Sequence, residues 1–142
     1  MSIWFGNPTV EDLAQFRSNG VVGHLDIAFT EIGDDYIELT LPVSDKTLQP
    51  AGILHGGMSV VLAETACSVG ATLTLDPDKQ FAVGQEINAN HIRPGAPGDT
   101  ITARATPVSM GRSSQVWDIR LRNQDDKLVC ISRCTMAIRD HA

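Results

Sequence analysis

The sequence predicts an α+β domain in which an antiparallel sheet wraps around one long central helix. Three observations carry this. An almost wholly apolar run extends from Gly56 to about Leu75. Two strand signals precede that run, and only strand signals come after it. Neither repeats nor low-complexity linkers interrupt the 142 residues, a length that suits one domain spanning 1–142 with a sizeable core.

The elements run in order from the N-terminus. Thr9 and Asp12 resemble a capping box, with Glu11 and Asp12 as first-turn acids. Val10, Leu13, Ala14 and Phe16 recur at roughly helical spacing, and Gly20 is expected to end that helix. A strand is expected around His24–Thr30, then a turn at Gly33-Asp34-Asp35, then a strand around Tyr36–Leu41. Pro42 to Gly52 reads as loop. The long helix then carries Leu62, Ala63, Ala66, Val69, Gly70 and Leu73, a surface broad enough to predict burial on most sides. Its small residues, Ala63, Ala66, Gly70 and Ala71, let sheet backbone approach closely, and Asp76-Pro77-Asp78 ends it. Four strands are predicted after it, at about Ala82–Ile92, Thr100–Ser109, Ser114–Asn123 and Leu128–Arg139.

Composition excludes several functions. Aromatic residues make up 5% and the net charge is −6, without a basic run. Nucleic acid and anionic membranes are therefore poor partners. The opening Met1-Ser2-Ile3-Trp4-Phe5-Gly6 has neither the basic nor the apolar region of a signal peptide. The central apolar run is broken by Glu64 and reads as too polar to span a bilayer. Cys67, Cys130 and Cys134 lack metal or disulfide spacing, which predicts buried thiols in a reducing cytoplasm and no metal.

The chemistry concentrates in residues 48–66. His55-Gly56-Gly57 opens the long helix, where unpaired N–H groups and a partial positive charge can polarise a carbonyl oxygen. Gly56 and Gly57 leave the backbone bare for a ligand to approach. Glu64 is a lone carboxylate on an apolar helix, with no Lys or Arg near it in sequence. Such a group has a partner or a task. Oxyanion donors with a lone carboxylate suggest acyl chemistry. Ser68, at i+4, either hydrogen-bonds Glu64 or holds an attacking water. Gly56 and Glu64 are eight residues apart, ~12 Å along one helix, so no single carbon touches both. A shared site then requires two antiparallel helices from different subunits. Glu86, Asn88 and Asn90 alternate with Ile87 and Ala89 and end at His91, which gives that strand one polar face.

These residues resemble the hotdog-fold acyl-CoA thioesterases over nearly the whole chain. The resemblance rests on Gln49-Pro50-x-Gly52-x-Leu54-His55-Gly56-Gly57, Leu62-Ala63-Glu64, Glu86-Ile87-Asn88-Ala89-Asn90-His91 and Gln115-Val116-Trp117. The branch most similar contains the 1,4-dihydroxy-2-naphthoyl-CoA thioesterase of menaquinone biosynthesis and the enterobactin-pathway proofreading thioesterase. Glu64, where the phenylacetate branch typically has Asp, favours it. The resemblance implies a dimer with a continuous sheet, commonly paired into a tetramer, and no cofactor. It implies Glu64 as nucleophile or general base, Gly56 as oxyanion donor, Gln49 and His55 as positioners and Ser68 beside the attacking group. It places Met58, His91, Arg93 and the Gly111-Arg112-Ser113 loop around the acyl-CoA. Aromatic acyl-CoA is the expected substrate. Two other functions compete: a hotdog dehydratase acting on 3-hydroxyacyl thioesters, and a non-catalytic acyl-CoA binder.

Overall fold

The computed structural model describes residues 1–17 and 19–142. Its six strands form one antiparallel sheet in the order β1-β2-β4-β5-β6-β3. They are β1 Ala28–Ile32, β2 Ile37–Pro42, β3 Gln80–His91, β4 Thr100–Met110, β5 Ser114–Arg122 and β6 Leu128–Asp140. Two helices accompany them, α1 Gly20–His24 and α2 Gly56–Leu73.

Period-two patterning sets which face of the sheet is covered. Ile37, Leu39 and Leu41 of β2 alternate inward, as do Ile101, Ala103 and Ala105 of β4, and Trp117, Ile119 and Leu121 of β5. Register then lines these residues into stripes: Leu39 pairs with Ala103, Ala103 with Leu121, and Leu121 with Cys130. Helix α2 lies across this face. Leu62, Ala63, Ala66, Cys67, Val69, Gly70 and Ala71 are buried against it. A Cβ added at Gly70 would meet the Trp117 ring at 3.0 Å and Ile37 at 3.3 Å, so the bare backbone sets how deeply the helix sits.

A buried polar chain ties the end of α2 to the same tryptophan. Trp117 Nε1–H donates to Gln115 Oε1 at 2.9 Å, and Gln115 Nε2–H donates to Thr74 Oγ1 at 2.9 Å. Thr74, directly after the last helical residue, donates in turn to the Ala71 carbonyl. The N-terminal strap closes over this end. Trp4 stacks on Trp117 with ring centroids 6.4 Å apart, and the Phe5 N–H donates to the Leu73 carbonyl.

The structure corrects the predicted N-terminal third. Thr9 and Asp12 do interlock: the Thr9 N–H donates to Asp12 Oδ2 and the Asp12 N–H to Thr9 Oγ1. The segment they cap is a 3₁₀ helix, Glu11–Phe16, in which Leu13 alone is buried. So little apolar contact does not hold a longer α-helix in place. Gly20 begins a helix where it was expected to end one. Its φ of +63° turns the chain into α1. His24 therefore closes α1, Asp26 turns the chain again at φ 58°, and the strand starts at Ala28. Ser18, inside the predicted helix, lies outside the described residues.

Helix α2 also differs from expectation on two counts. It is buried against the sheet on one side, while Val61, Glu64, Thr65 and Ser68 on another face are half-buried. By length and composition it is apolar enough to cross a bilayer, despite Glu64. Here the sheet supplies the apolar surface that lipid would.

Replacing Gln115 with Met removes both buried bonds and leaves the Trp117 N–H unpaired. The expected cost is about 1–3 kcal/mol. It should appear as a lower urea midpoint at unchanged slope. A midpoint equal to that of the unaltered protein would show that the polar chain does not hold the helix.

Candidate active site

Residues 47–59 build the entrance of α2. Pro50 and Gly52 occupy the second and fourth positions of a tight turn, closed by the Gly52 N–H on the Gln49 carbonyl at 2.9 Å. Gly52 has φ +81°, which glycine adopts without strain. The turn brings Leu48 back onto Leu54 as a bridge. Gln49 Oε1 accepts from the Ala51 N–H at 2.5 Å, so the side-chain amide group remains to donate outward.

His55 caps α2. Its backbone N–H donates to the Thr47 carbonyl, and its Nδ1 accepts from the Gly57 N–H at 2.9 Å. That bond places the ring proton on Nε2 and aims a donor away from the helix. It also uses up the Gly57 N–H, while Met58 donates to the His55 carbonyl. Among the described residues the Gly56 N–H has no acceptor, at the positive end of the helix. The His91 ring lies directly over Gly56: an added Cβ there would come within 2.7 Å of His91 Nε2. The next loop also meets the entrance, with Leu54 N–H on the Gly95 carbonyl at 2.9 Å and Arg93 nearby in sequence.

Two turns further along, Glu64 stands on the face of α2 that the sheet leaves uncovered. With Val21, Val61, Thr65, Ser68 and Val69 it lines a mainly apolar cleft of about 380 Å³. Among the described residues its carboxylate makes neither a hydrogen bond nor an ion pair. The Ser68 bond to Glu64 is not formed; the hydroxyl faces Met136 Sδ at 3.9 Å. The carboxylate lies instead against the backbone of Gly84 in β3. A carboxylate left unpartnered in a largely apolar cleft is costly to keep there.

The predicted residues therefore fall into two groups. Gln49, His55, Gly56, Met58 and His91 gather at the start of α2, and Arg93 follows His91 with its N–H on the Val129 carbonyl of β6. Glu64 and Ser68 lie ~12 Å along it. The Gly111-Arg112-Ser113 loop is the hairpin between β4 and β5, closed by the Gly111 N–H on the Ser114 carbonyl. Ser114 pairs with Ala137, whereas His91 pairs with Cys130. Seven residues of β6 separate the two levels, ~23 Å. One chain thus does not bring the loop and His91 together.

Gly84 and the α1 residue Val21 were not singled out from sequence. A glycine inside a strand pattern signals a bulge or a close approach, and that signal was present at Gly84. Nothing in the sequence linked Val21 to a helix forty residues on. A larger hollow, about 610 Å³, lies on the outer face of the sheet, away from Glu64. Its arginines are paired, Arg104 with Glu38 and Arg120 with Asp118. Among the described residues no three His, Cys, Asp or Glu side chains come together as a metal site.

Comparison with known proteins bears on this geometry. A family model described as the thioesterase superfamily matches residues 51–130. The chain is 44% identical over 136 residues to the 1,4-dihydroxy-2-naphthoyl-CoA hydrolase of Escherichia coli, covering 96% of this chain and 98% of that protein. It is 40% identical over 136 residues to the proofreading thioesterase EntH of Cronobacter sakazakii, with coverages of 96% and 98%. A crystal structure of a thioesterase from Haemophilus influenzae superposes with a TM-score of 0.92 at 46% identity, covering 97% of this chain and 95% of that one.

Proposed function

The chain belongs to the thioesterase superfamily, with the hotdog architecture of an acyl-CoA thioesterase, and from that premise we propose that Glu64 carries the hydrolysis of an aromatic acyl-CoA. One observation supports this most: among the described residues Glu64 is a carboxylate without a partner in a mainly apolar cleft, on the helix whose first N–H, that of Gly56, has no acceptor.

The thioester carbonyl oxygen sits at that N–H, where developing negative charge is stabilised by the start of the helix. The Nε2–H of His55 and the side-chain amide of Gln49 orient the thioester beside it. Glu64 then has two routes. As nucleophile it bonds to the carbonyl carbon and expels the CoA thiolate, and water cleaves the resulting mixed anhydride. As general base it takes a proton from the water that attacks. Ser68 shares its cleft, and in this reading its hydroxyl turns from Met136 to hold that water.

The ~12 Å between Gly56 and Glu64 makes the site a shared one. Strand β3 suits this. It pairs with β6 on one side, and among the described residues its outer edge has no partner strand over its twelve residues, with Phe81 and Val83 exposed. A long bare edge is a template for another strand. Two copies joined edge to edge would continue the sheet and lay two α2 helices antiparallel. Gly56 and His91 of one copy would then face Glu64 and the Gly111–Ser113 loop of the other. We take the assembly to be a homodimer, two of which form a tetramer. The buried thiols fit a reducing cytoplasm.

The acyl group is expected to be aromatic. The cleft beside Glu64 is walled by Val21, Val61 and Val69, which offer apolar surface to an acyl group. The relatives named for 1,4-dihydroxy-2-naphthoyl-CoA hydrolysis point toward an aryl substrate, such as that of menaquinone biosynthesis. Neither a dehydratase nor a silent binder accounts for that set of hydrolases.

Three outcomes are expected. Glu64→Gln should fold and bind substrate yet lose turnover by at least about a hundredfold, measured as thiol release from benzoyl-CoA. Retained turnover would move the chemistry elsewhere.

Hybrids formed by mixing Glu64→Gln subunits with Gly56→Pro subunits should regain part of the activity that each variant lacks. Proline at the first helical position removes the N–H, and its ring displaces the His91 side chain that lies over Gly56, so it disables this half-site alone. A fully active monomer in solution would rule out the shared site.

Across a panel, kcat/KM for benzoyl- and naphthoyl-CoA should exceed that for palmitoyl-CoA by about tenfold or more. The reverse order would discard the aryl assignment and leave the thioesterase standing.

A further inference from the structure

We propose that Gly84 is a positioning residue for Glu64: its bare backbone is the seat that lets the carboxylate reach its working place. This rests on the catalytic reading of Glu64.

The space at Gly84 is occupied in one particular way. A Cβ built there would overlap Glu64 Oε1 and touch its Cδ at 3.5 Å, and chain neighbours aside it would meet no other group within 4 Å among the described residues. The glycine is not needed for backbone conformation. Positive φ occurs at Gly6, Gly20, Gly52 and Gly98, and Gly84 is not among them. An L-residue would thus adopt this strand geometry without strain, and glycine is a poor strand residue. Among the described residues, what excludes a side chain is the Glu64 carboxylate.

The strand is shaped around the same point. The β3–β6 register shifts between Gly84 and Glu86, so that Gly84 pairs with Met136, Glu86 with Thr135, and Gln85 is the extra residue. Such a bulge bends its strand and re-aims what lies on it. Ser68 Oγ contacts the same Met136, which puts the seat, the carboxylate and the hydroxyl around one residue of β6. A methyl group at Gly84 would force Glu64 off this seat by roughly an ångström or into another rotamer. Misplacement on that scale costs about a hundredfold in rate.

The test is a double-mutant cycle on the assembled enzyme with benzoyl-CoA. Gly84→Ala should keep or raise the melting temperature, because alanine suits the strand and restricts the unfolded chain. It should lower kcat about a hundredfold while KM changes by less than about threefold. Glu64→Asp draws the carboxylate back by one methylene, which makes room for the methyl group. Gly84→Ala combined with Glu64→Asp should therefore lose much less than the product of the two single losses. Gly84→Ala with near-normal kcat, or single losses that multiply independently, would overturn the proposal. If Gly84→Ala does not fold, Gly84→Ala with Glu64→Ala decides. Recovery of folded protein supports the seat, and continued failure shows that something other than the carboxylate excludes the side chain. Full turnover in Glu64→Gln would remove the catalytic reading itself. Inactive Glu64→Gln beside fully active Gly84→Ala would remove the seat alone.

Discussion

Contact between the bare backbone of Gly70 and the Trp117 ring governs everything placed on α2. It sets the depth of the helix on the sheet, and the Trp117–Gln115–Thr74 chain stops the helix from sliding or turning there. Gly56 and Glu64 are rigidly spaced on that helix, so their positions relative to the strands depend on a contact near its far end. The His91 ring over Gly56 and the Gly84 backbone under Glu64 are places where β3 meets the same helix. A small rotation of α2 would disturb both. Packing a tryptophan beneath a glycine is therefore a condition of the chemistry as well as of the fold.

Much of this architecture was legible because its signals are local. His55-Gly56-Gly57 marks a helix start by cap and by composition, and Glu64 stands out by lacking any cation nearby in sequence. After α2, β5 and the first half of β4 alternate cleanly because one face of each is covered, whereas β3 leaves most of its residues exposed and β6 buries neighbours such as Met136, Ala137 and Ile138. The N-terminal third was harder. Thr9 and Asp12 make the expected reciprocal bonds, but those bonds cap one turn without deciding between an α-helix and a 3₁₀ helix beyond it. That depends on tertiary contact, and here Leu13 alone is fully buried, with Val10 and Phe16 packed only partly against the core. Gly20 reads equally as a stop or as a left-handed start. The Gly111–Ser113 hairpin was recognisable as a turn, yet its distance from His91 is set by the β5–β6 register, which no short motif encodes. Gly84 signalled a close approach without saying what approaches.

Glu64 illustrates how a protein keeps an awkward group. Inside this chain the carboxylate has neither a cation nor a hydrogen-bond donor among the described residues, and the expected Ser68 bond is absent. The free Gly56 N–H is the mirror case, a donor without an acceptor. Each is left open where its own helix cannot serve it. Two half-sites of opposite polarity on one rigid rod are complementary only when a second rod runs the other way. The bare edge of β3 allows that arrangement without rearranging either core.

Cys67, Cys130 and Cys134 are all reduced and shut inside the layer between α2 and the sheet or along β6. Hydrogen bonding to Cys134, together with burial, pushes the Cys67 thiol well above the usual range, and burial pushes Cys130 up. None of these sulfurs meets a reagent while the helix stays seated. Their labelling rate is thus a clock for the parting of helix and sheet, one that chemistry in the cleft leaves untouched. The folded protein is also nearly silent to a disulfide reagent, so colour developing in such an assay comes from liberated CoA and not from the enzyme.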